Sequence, residues 1–223
     1  MRSIPRFPLR RGAMLAGLAL TLGLAACTTM PPTPPVAQSP KATSDGTVTV
    51  FHRKSSGGMG VFDGKVEWVQ RAGTWQGQPA VALVSQQAGT TLHDPDGLGM
   101  LATLATNGNP LFSYHPPITY PWPMSVGKTL TTNHTVTVHA TGATLPMRID
   151  WRVESWGDVT VPAGTFKAYK VVFQMSNGDL ETRWVSPEPG LGTIKRQVVR
   201  SAKHPQGPGE LNAELLSLQQ PGR

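Results

Sequence analysis

Short segments rich in β-branched and aromatic residues, which alternate with polar residues, recur along most of this 223-residue chain, bounded by turn residues such as glycine and proline. The chain holds 24 glycines and 21 prolines, and no apolar pattern with the helical period of about 3.6 residues persists. Alternation with a period of two between turn residues is typical of β-strands. The predicted strands are residues 47–52, 65–73, 79–85, 130–140, 147–156, 168–175, 180–186 and 193–201. The sequence therefore predicts an all-β single domain: a large curved antiparallel sheet or open half-barrel, built as a meander of hairpins.

Two turns in the C-terminal half are well specified. Val161-Pro162-Ala163-Gly164 has proline at the second position and glycine at the fourth, as in a type I turn. Asn177-Gly178 favours a two-residue hairpin loop, in which both residues adopt positive φ. That loop fixes the register: Met175 pairs with Leu180, Phe173 with Thr182 and Val171 with Trp184 on one face, and Gln174 with Glu181 and Val172 with Arg183 on the other.

This register predicts that the charged residues of the segment belong to an exposed, polar strand face and not to a site. In the following strand, Arg196 lies between Ile194 and Val198 on one face, and Lys195, Gln197 and Val199 lie on the other.

The segments "VTVPAGTFKAYKV" (159–171) and "TRWVSPEPGLGTIKR" (182–196) resemble a family of uncharacterised bacterial envelope lipoproteins. The shared signature is Val-Pro-Ala-Gly-x-Phe followed by Trp-x-Ser-Pro-x-x-Gly-Leu-Gly, and "YPWPMSVGKTL" (120–130) resembles an upstream strand of the family. Leu130 departs from the pattern, since a tryptophan commonly stands near it. The resemblance covers roughly residues 118–200 and implies a fold broadly similar to the curved-sheet carriers of lipids and lipoproteins. It implies no catalytic residues.

The N-terminus is typical of a bacterial lipoprotein. Residues 1–11 carry four arginines, and the apolar run that follows ends in Leu24-Ala25-Ala26-Cys27, which resembles a lipobox. By that resemblance residues 1–26 are a signal peptide, and Cys27 receives a diacylglycerol thioether and an acyl chain (palmitate) on its amine. The alternative is an ordinary secreted protein with an incidental cysteine. Thr28, where aspartate would retain the protein at the inner membrane, points to the periplasmic side of the outer membrane.

Composition divides the rest of the chain into a tether, a β domain and a short tail, and its net charge is small. Removal of the four N-terminal arginines leaves 16 basic residues against 13 acidic ones, without a basic run, so the sequence predicts no nucleic-acid partner. Residues 27–46 contain five prolines and no aromatic residue and are predicted to form a lipidated tether. Residues 47–218 are the predicted β domain, and residues 219–223 a disordered tail.

No familiar catalytic, phosphate-binding or metal-binding motif occurs in the sequence, so no catalytic residue, metal or cofactor is predicted. His93-Asp94-Pro95-Asp96-Gly97 allows a cation site, but each of its residues is also typical of a plain turn, which we favour. A hydrolase is the least favoured class, and it would need one of His93, His115 or His139.

The segment "PLFSYHPPITYPWP" (110–123) is the candidate ligand-binding site. It places Phe112, Tyr114, Tyr120 and Trp122 among five prolines, in a composition that favours neither regular strand nor helix. Rigid aromatic side chains there would line the mouth of an apolar cavity; alternatively, they plug one end of the sheet as core. The leading hypothesis is a non-enzymatic lipoprotein that binds an apolar ligand or lipid. The alternative is a scaffold without a cavity that docks an envelope protein or peptidoglycan.

Overall fold

The computed structural model describes residues 34–39, 44–96, 98–188 and 190–222. The predicted signal peptide and the lipidation of Cys27 lie outside the described residues. The described residues belong to one unit, Pro34–Arg223. Among them there is no helix long and apolar enough to cross a membrane.

Twelve β-strands make up the regular structure of this part of the chain. They are β1 (Val48–Gly57), β2 (Phe62–Trp75), β3 (Gln78–Ser85), β4 (Gly89–His93), β5 (Gly99–Leu104), β6 (Pro110–Thr119), β7 (Thr129–Val138), β8 (Ala143–Val161), β9 (Gly164–Met175), β10 (Asp179–Ser186), β11 (Gly192–Arg200) and β12 (Gly209–Gln219).

The twelve strands close into a barrel. Each pairs antiparallel with the next in sequence, and β1 also pairs with β12, from Val48 opposite Gln219 to Gly57 opposite Gly209. The all-β antiparallel prediction is confirmed, whereas the open half-barrel is wrong. Closure gives every strand two neighbours and leaves no edge of unpaired N–H and C=O groups. The strand that closes the barrel, "GELNAELLSLQ", is rich in Leu and Glu and has no β-branched residue, so its composition does not mark it as a strand.

The main core lies inside the barrel against β8 and β9. Ile149 and Val153 are fully buried, and the rings of Trp151 and Phe173 pack with their centroids 4.3 Å apart. These residues alternate along their strands, and residues directly opposite each other in an antiparallel pair share a face. Trp151 lies opposite Phe173, so the apolar faces of both strands point to the same interior.

The hairpin between β9 and β10 differs from its predicted register by one residue. The turn at Val161–Gly164 is present, but the Asn177-Gly178 loop includes Ser176, and only Gly178 has a positive φ, of 100°. Phe173 is therefore opposite Glu181, and Val171 opposite Arg183. A one-residue slip moves every side chain of a strand to the other face. The charges predicted on the exposed face consequently point into the barrel.

Part of the predicted tether packs against the barrel. Ala37 forms a bridge with Met124, with N–O distances of 3.0 and 2.8 Å, and both residues are buried in the main core. The hydroxyl of Tyr169 donates a hydrogen bond to the carbonyl of Pro35. Residues 34–39 thus belong to the folded domain, which begins earlier than the predicted boundary at residue 47.

Candidate functional site

A cavity of about 370 Å³ lies inside the barrel. Its wall is formed by inward-facing residues of β1 to β4, β11 and β12 and by loop residues. The apolar part of the lining consists of Phe51, Val66, Trp68, Val81, Leu83, Leu98, Leu191, Leu211 and Ala213. The polar part consists of Thr47, Thr49, Arg53, Gln70, Thr91, His93, Tyr120, Thr193 and Arg196. The volume lies within the range of about 300–1,000 Å³ that is usual for small-molecule sites.

Strand alternation explains why these residues line the cavity. On β1, Thr49, Phe51 and Arg53 point inward, whereas the intervening His52 is half exposed and contacts Asp63 on the outer surface. The same period places Val66, Trp68 and Gln70 of β2 on the cavity wall.

The cavity extends toward one end of the barrel, which we call the proximal end. Because neighbouring strands alternate in direction, the loops after even-numbered strands lie at the end where β1 begins. Leu98, Tyr120 and Leu191 come from three of these loops, and Thr47 precedes β1. The cavity therefore lies beneath the end at which the N-terminal segment joins the barrel.

A buried ion cluster lies at the inner side of the cavity. The Glu181 side chain is 1% exposed. Arg196 donates to its two oxygens from Nε at 2.6 Å and Nη2 at 3.1 Å, and Arg183 donates to Oε1. Burial alone would raise the pKa of the Glu181 carboxyl, but the guanidiniums of Arg183 and Arg196 lower it below its ordinary value. Glu181 is therefore an ionised counter-charge and not a proton donor or acceptor.

Arg53 adds a third guanidinium to the interior. Strand pairing aligns Arg53, Ala213, Arg196 and Arg183 in one row across β1, β12, β11 and β10. Burial, and then the charge of Arg196, lower the pKa of Arg53. No carboxylate lies within 4.0 Å of Arg53 in the part of the chain that the structure describes. Arg183 and Arg196 thus share the carboxylate of Glu181, and Arg53 has no counter-charge in contact with it among the described residues.

Tyr120 connects this cluster to the proximal loops. Its hydroxyl accepts a hydrogen bond from Arg183 Nη1 at 2.8 Å and lies 2.9 Å from Thr193 Oγ1. The guanidinium of Arg183 also lies over the rings of Tyr120 and Phe173, at 5.6 and 5.4 Å from their centroids. These contacts hold one edge of the cavity in place.

His93 lines the cavity as a neutral imidazole. Burial, and then the charge of Arg183, lower the pKa of His93 to about 4, against the opposing effect of Asp94. Its Nε2 lies 3.3 Å from Thr91 Oγ1. The buried Nδ1 of His93 and Nε of Arg53 have no hydrogen-bond partner among the described residues.

Of the four aromatic residues predicted to bind a ligand, Tyr120 lines the cavity. Tyr114 and Trp122 pack against the main core, and Phe112 is 37% exposed. Their segment also includes the regular strand β6, which the sequence did not predict because its prolines disfavour a strand interior. Their role in binding stays a prediction. Most of the cavity wall is formed by β1 to β4, β11 and β12, outside their segment.

Asp94 has the turn role that its sequence predicts. Its carboxylate accepts hydrogen bonds from the backbone N–H groups of Leu98 at 2.9 Å and Gly99 at 3.1 Å. Within the described ranges, no group of three His, Cys, Asp or Glu side chains is arranged to hold a metal ion.

Sequence reasoning missed Arg53, Glu181 and Arg183 as interior residues, although a signal was present. Arg53 follows Thr49 and Phe51 with a period of two, and Arg196 stands between Ile194 and Val198 in an apolar alternation. A charged residue in phase with apolar neighbours indicates a buried, paired charge.

No protein-family model matches the chain, and no curated protein matches it in sequence. The solved structures that are similar to it at low identity include the following three. One is described as an exported protein with a YmcC-like fold from Bacteroides fragilis (14% identity, TM-score 0.45, covering 83% of this chain and 100% of that one). Another is described as a lipoprotein from Parabacteroides distasonis (14%, TM-score 0.44, covering 82% and 99%). The third is described as the lipoprotein YmcC from Escherichia coli (11%, TM-score 0.44, covering 77% and 83%).

Proposed function

We propose that the protein is a lipoprotein, anchored through Cys27 to the periplasmic side of the outer membrane, that binds an apolar ligand inside its barrel without catalysing a reaction. The observation that carries this proposal is the cavity of about 370 Å³ with its wall of aliphatic and aromatic side chains. A well-packed interior leaves few voids larger than a water molecule. A cavity of this size therefore favours a bound molecule over a purely structural barrel.

The anchor rests on the N-terminal sequence. The arginine-rich start, the short apolar run and the lipobox-like Leu24-Ala25-Ala26-Cys27 support acylation, and Thr28 supports outer-membrane sorting. Several acyl chains, at about 0.8 kcal/mol per buried methylene, hold a protein stably at a membrane.

The state of the charged groups supports binding over catalysis. Both oxygens of Glu181 accept hydrogen bonds from guanidiniums, and the imidazole of His93 stays neutral at neutral pH. A general acid or base needs a pKa near the working pH and a free proton site. Reproducible turnover abolished by one substitution at His93, His115 or His139 would contradict the non-enzymatic proposal.

The test begins with the chain from Pro34 onward, which contains the whole barrel, purified from a bacterial periplasm without detergent. Native mass spectrometry is expected to show a co-purifying lipid at near-equal stoichiometry. After solvent extraction of that lipid, the protein is expected to take up the uncharged fluorophore N-phenylnaphthylamine with an increase in fluorescence.

Two neighbouring residues of β12 provide a matched pair of variants. Ala213 lines the cavity, whereas Asn212 is exposed on the outer face. Ala213→Trp is expected to fill the cavity and abolish fluorophore uptake, and Asn212→Trp is expected to leave it unchanged. Equal uptake by both variants would place the fluorophore outside the barrel.

A folded protein with neither co-purified lipid nor fluorophore uptake would contradict ligand binding. It would favour the alternative function, a scaffold for an envelope protein or peptidoglycan. A pull-down from solubilised envelopes that retrieves a stoichiometric partner would then test that alternative.

A further inference from the structure

We infer that the ligand is a single-chain amphipath with an anionic head group, which Arg53 and Arg196 bind at the inner side of the cavity. The inference rests on the proposed function and names the chemical class of the ligand for that site.

The first argument is the charge balance of the interior. Arg53, Arg183 and Arg196 lie in one row of the barrel, and Glu181 in the next row supplies one negative charge. The other buried carboxylate of β10, Asp179, is already paired with Arg200. Arg53 and Arg196 are partly buried and line the cavity. Charge withdrawn from bulk water without a counter-ion is costly, so a site with this excess favours a ligand of opposite sign. An anionic head group would neutralise part of the remaining positive charge.

The second argument is the geometry around Arg53. Its Nη2 is at the limit of hydrogen bonding to Ser55 Oγ and to the Met59 carbonyl, 3.5 Å from each, and its buried Nε has no partner among the described residues. Ala213 lies opposite both Arg53 and Arg196 in the two strand pairs, so a methyl group separates the long arginine side chains. Guanidiniums bind carboxylate and phosphate through paired N–H donors. The small residue leaves room for such a group between them.

The third argument is the position of the apolar lining. Val66, Trp68 and Leu83 continue the wall from the arginines, and Leu98 and Leu191 lie at the proximal loops. A chain bound with its head group at Arg53 and Arg196 would therefore cover apolar surface along its length. The volume of about 370 Å³ is near the lower end of small-molecule sites and suits one acyl chain better than a two-chain phospholipid.

The experiment compares ligands that share a chain and differ in the head group. Displacement of N-phenylnaphthylamine from the delipidated protein is measured with dodecanoate, dodecyl phosphate, dodecanol and dodecyltrimethylammonium. We expect either anion to bind about ten- to a hundredfold more tightly than dodecanol, since hydrogen bonds to charged groups are worth that much. The cation is expected to bind most weakly. Tighter binding of dodecanoate would indicate a fatty-acid source, and tighter binding of dodecyl phosphate a phosphorylated lipid.

A variant assigns the preference to the arginines. Arg53→Gln is expected to weaken anion binding at least about tenfold and to change dodecanol binding less than about twofold. Arg71→Gln, on the exposed outer face of β2, is the control and is expected to leave both unchanged. The head-group comparison on the unaltered protein tests the inference even where a variant does not fold.

The outcomes separate the inference from the proposed function. If the protein neither carries co-purified lipid nor takes up the fluorophore, both are overturned. If it takes up the fluorophore but neither the anions nor dodecanol displace it, the inference is overturned and the proposed function stands. If dodecanol binds as tightly as the anions, the proposed function stands and the anionic head group is overturned. If Arg53→Gln keeps the full anion preference, the binding of the head group by Arg53 is overturned.

Discussion

Glu181→Gln changes the buried ion cluster with almost no change in shape. The variant removes the carboxylate that accepts hydrogen bonds from Arg183 and Arg196 and leaves those guanidiniums, with Arg53 nearby, without a counter-charge. Removing one partner of a buried ion pair costs about 3–5 kcal/mol. The 1% exposure of the Glu181 side chain places this site in that class. We expect a loss of about 4 kcal/mol in the free energy of unfolding.

Urea unfolding followed by tryptophan fluorescence measures this loss. With a slope of about 2 kcal/mol per molar urea, the midpoint is expected to fall by roughly 2 M. Glu214→Gln is the control, because the Glu214 carboxylate contacts Lys195 at 2.6 Å but is 39% exposed. Exposed ion pairs contribute about 0–1 kcal/mol, so its midpoint is expected to change by less than about 0.5 M.

The contribution of Glu181 to the free energy of unfolding changes with pH in a defined direction. Because the pKa of Glu181 is lowered in the folded state, its contribution is present above the ordinary glutamate value and is lost as pH falls through the folded value. The difference between the wild-type protein and Glu181→Gln should therefore shrink in acid. Equal midpoints for Glu181→Gln and Glu214→Gln at neutral pH would refute the role of Glu181 as the required interior counter-charge.

Three further predictions concern other parts of the barrel. Since the pKa of His93 falls to about 4, the folded state does not take up the proton that the unfolded state binds below its ordinary value of 6.5. Between about pH 7.5 and about pH 5, His93 is therefore expected to cost the wild-type protein about 2 kcal/mol of stability. His93→Gln is expected to abolish that part of the loss, which urea unfolding at both pH values measures. Gly89→Ala is expected to cost about 1–3 kcal/mol more than Gly108→Ala, because the two have similar φ values (86° and 83°) but a Cβ on Gly89 would lie 2.1 Å from the Leu104 carbonyl oxygen; equal thermal midpoints would contradict this. Ile149→Ala is expected to cost about 2–5 kcal/mol, since Ile149 is fully buried in the main core, and a loss below about 1 kcal/mol would mean that the core repacks.

Alternation and turn residues were sufficient to predict the all-β antiparallel architecture and the hairpin turn at Val161–Gly164. They do not reveal closure, because the pairing of Val48 with Gln219 joins residues at opposite ends of the domain and no local pattern marks the partner. The length of the loop between β9 and β10 also decides which face of the sheet the side chains of β10 occupy. Inclusion of Ser176 in the loop before β10 moves Glu181 from the outer face to the interior.

The cavity could be predicted even less completely. Tyr120 was recognised as an aromatic residue of a proline-rich segment, but the cavity wall draws on six strands whose relation is set only by closure. Arg196 was correctly placed on the same face as Val198, yet its partner Glu181 comes from a different strand. Recognition of an interior ion cluster requires the registers of several strand pairs together.

β12 is one of the two neighbours of β1 in the barrel, so β1 cannot complete its backbone pairing until β12 is present. Until Gly209–Gln219 is available, β1 and β11 each present an unpaired edge, and the contacts that close the barrel are among the most distant in sequence. Contacts of such separation form slowly. A chain that emerges N-terminus first therefore cannot close its barrel before Gly209–Gln219 is available. The same dependence makes a chain shortened by even one C-terminal strand prone to edge-to-edge association.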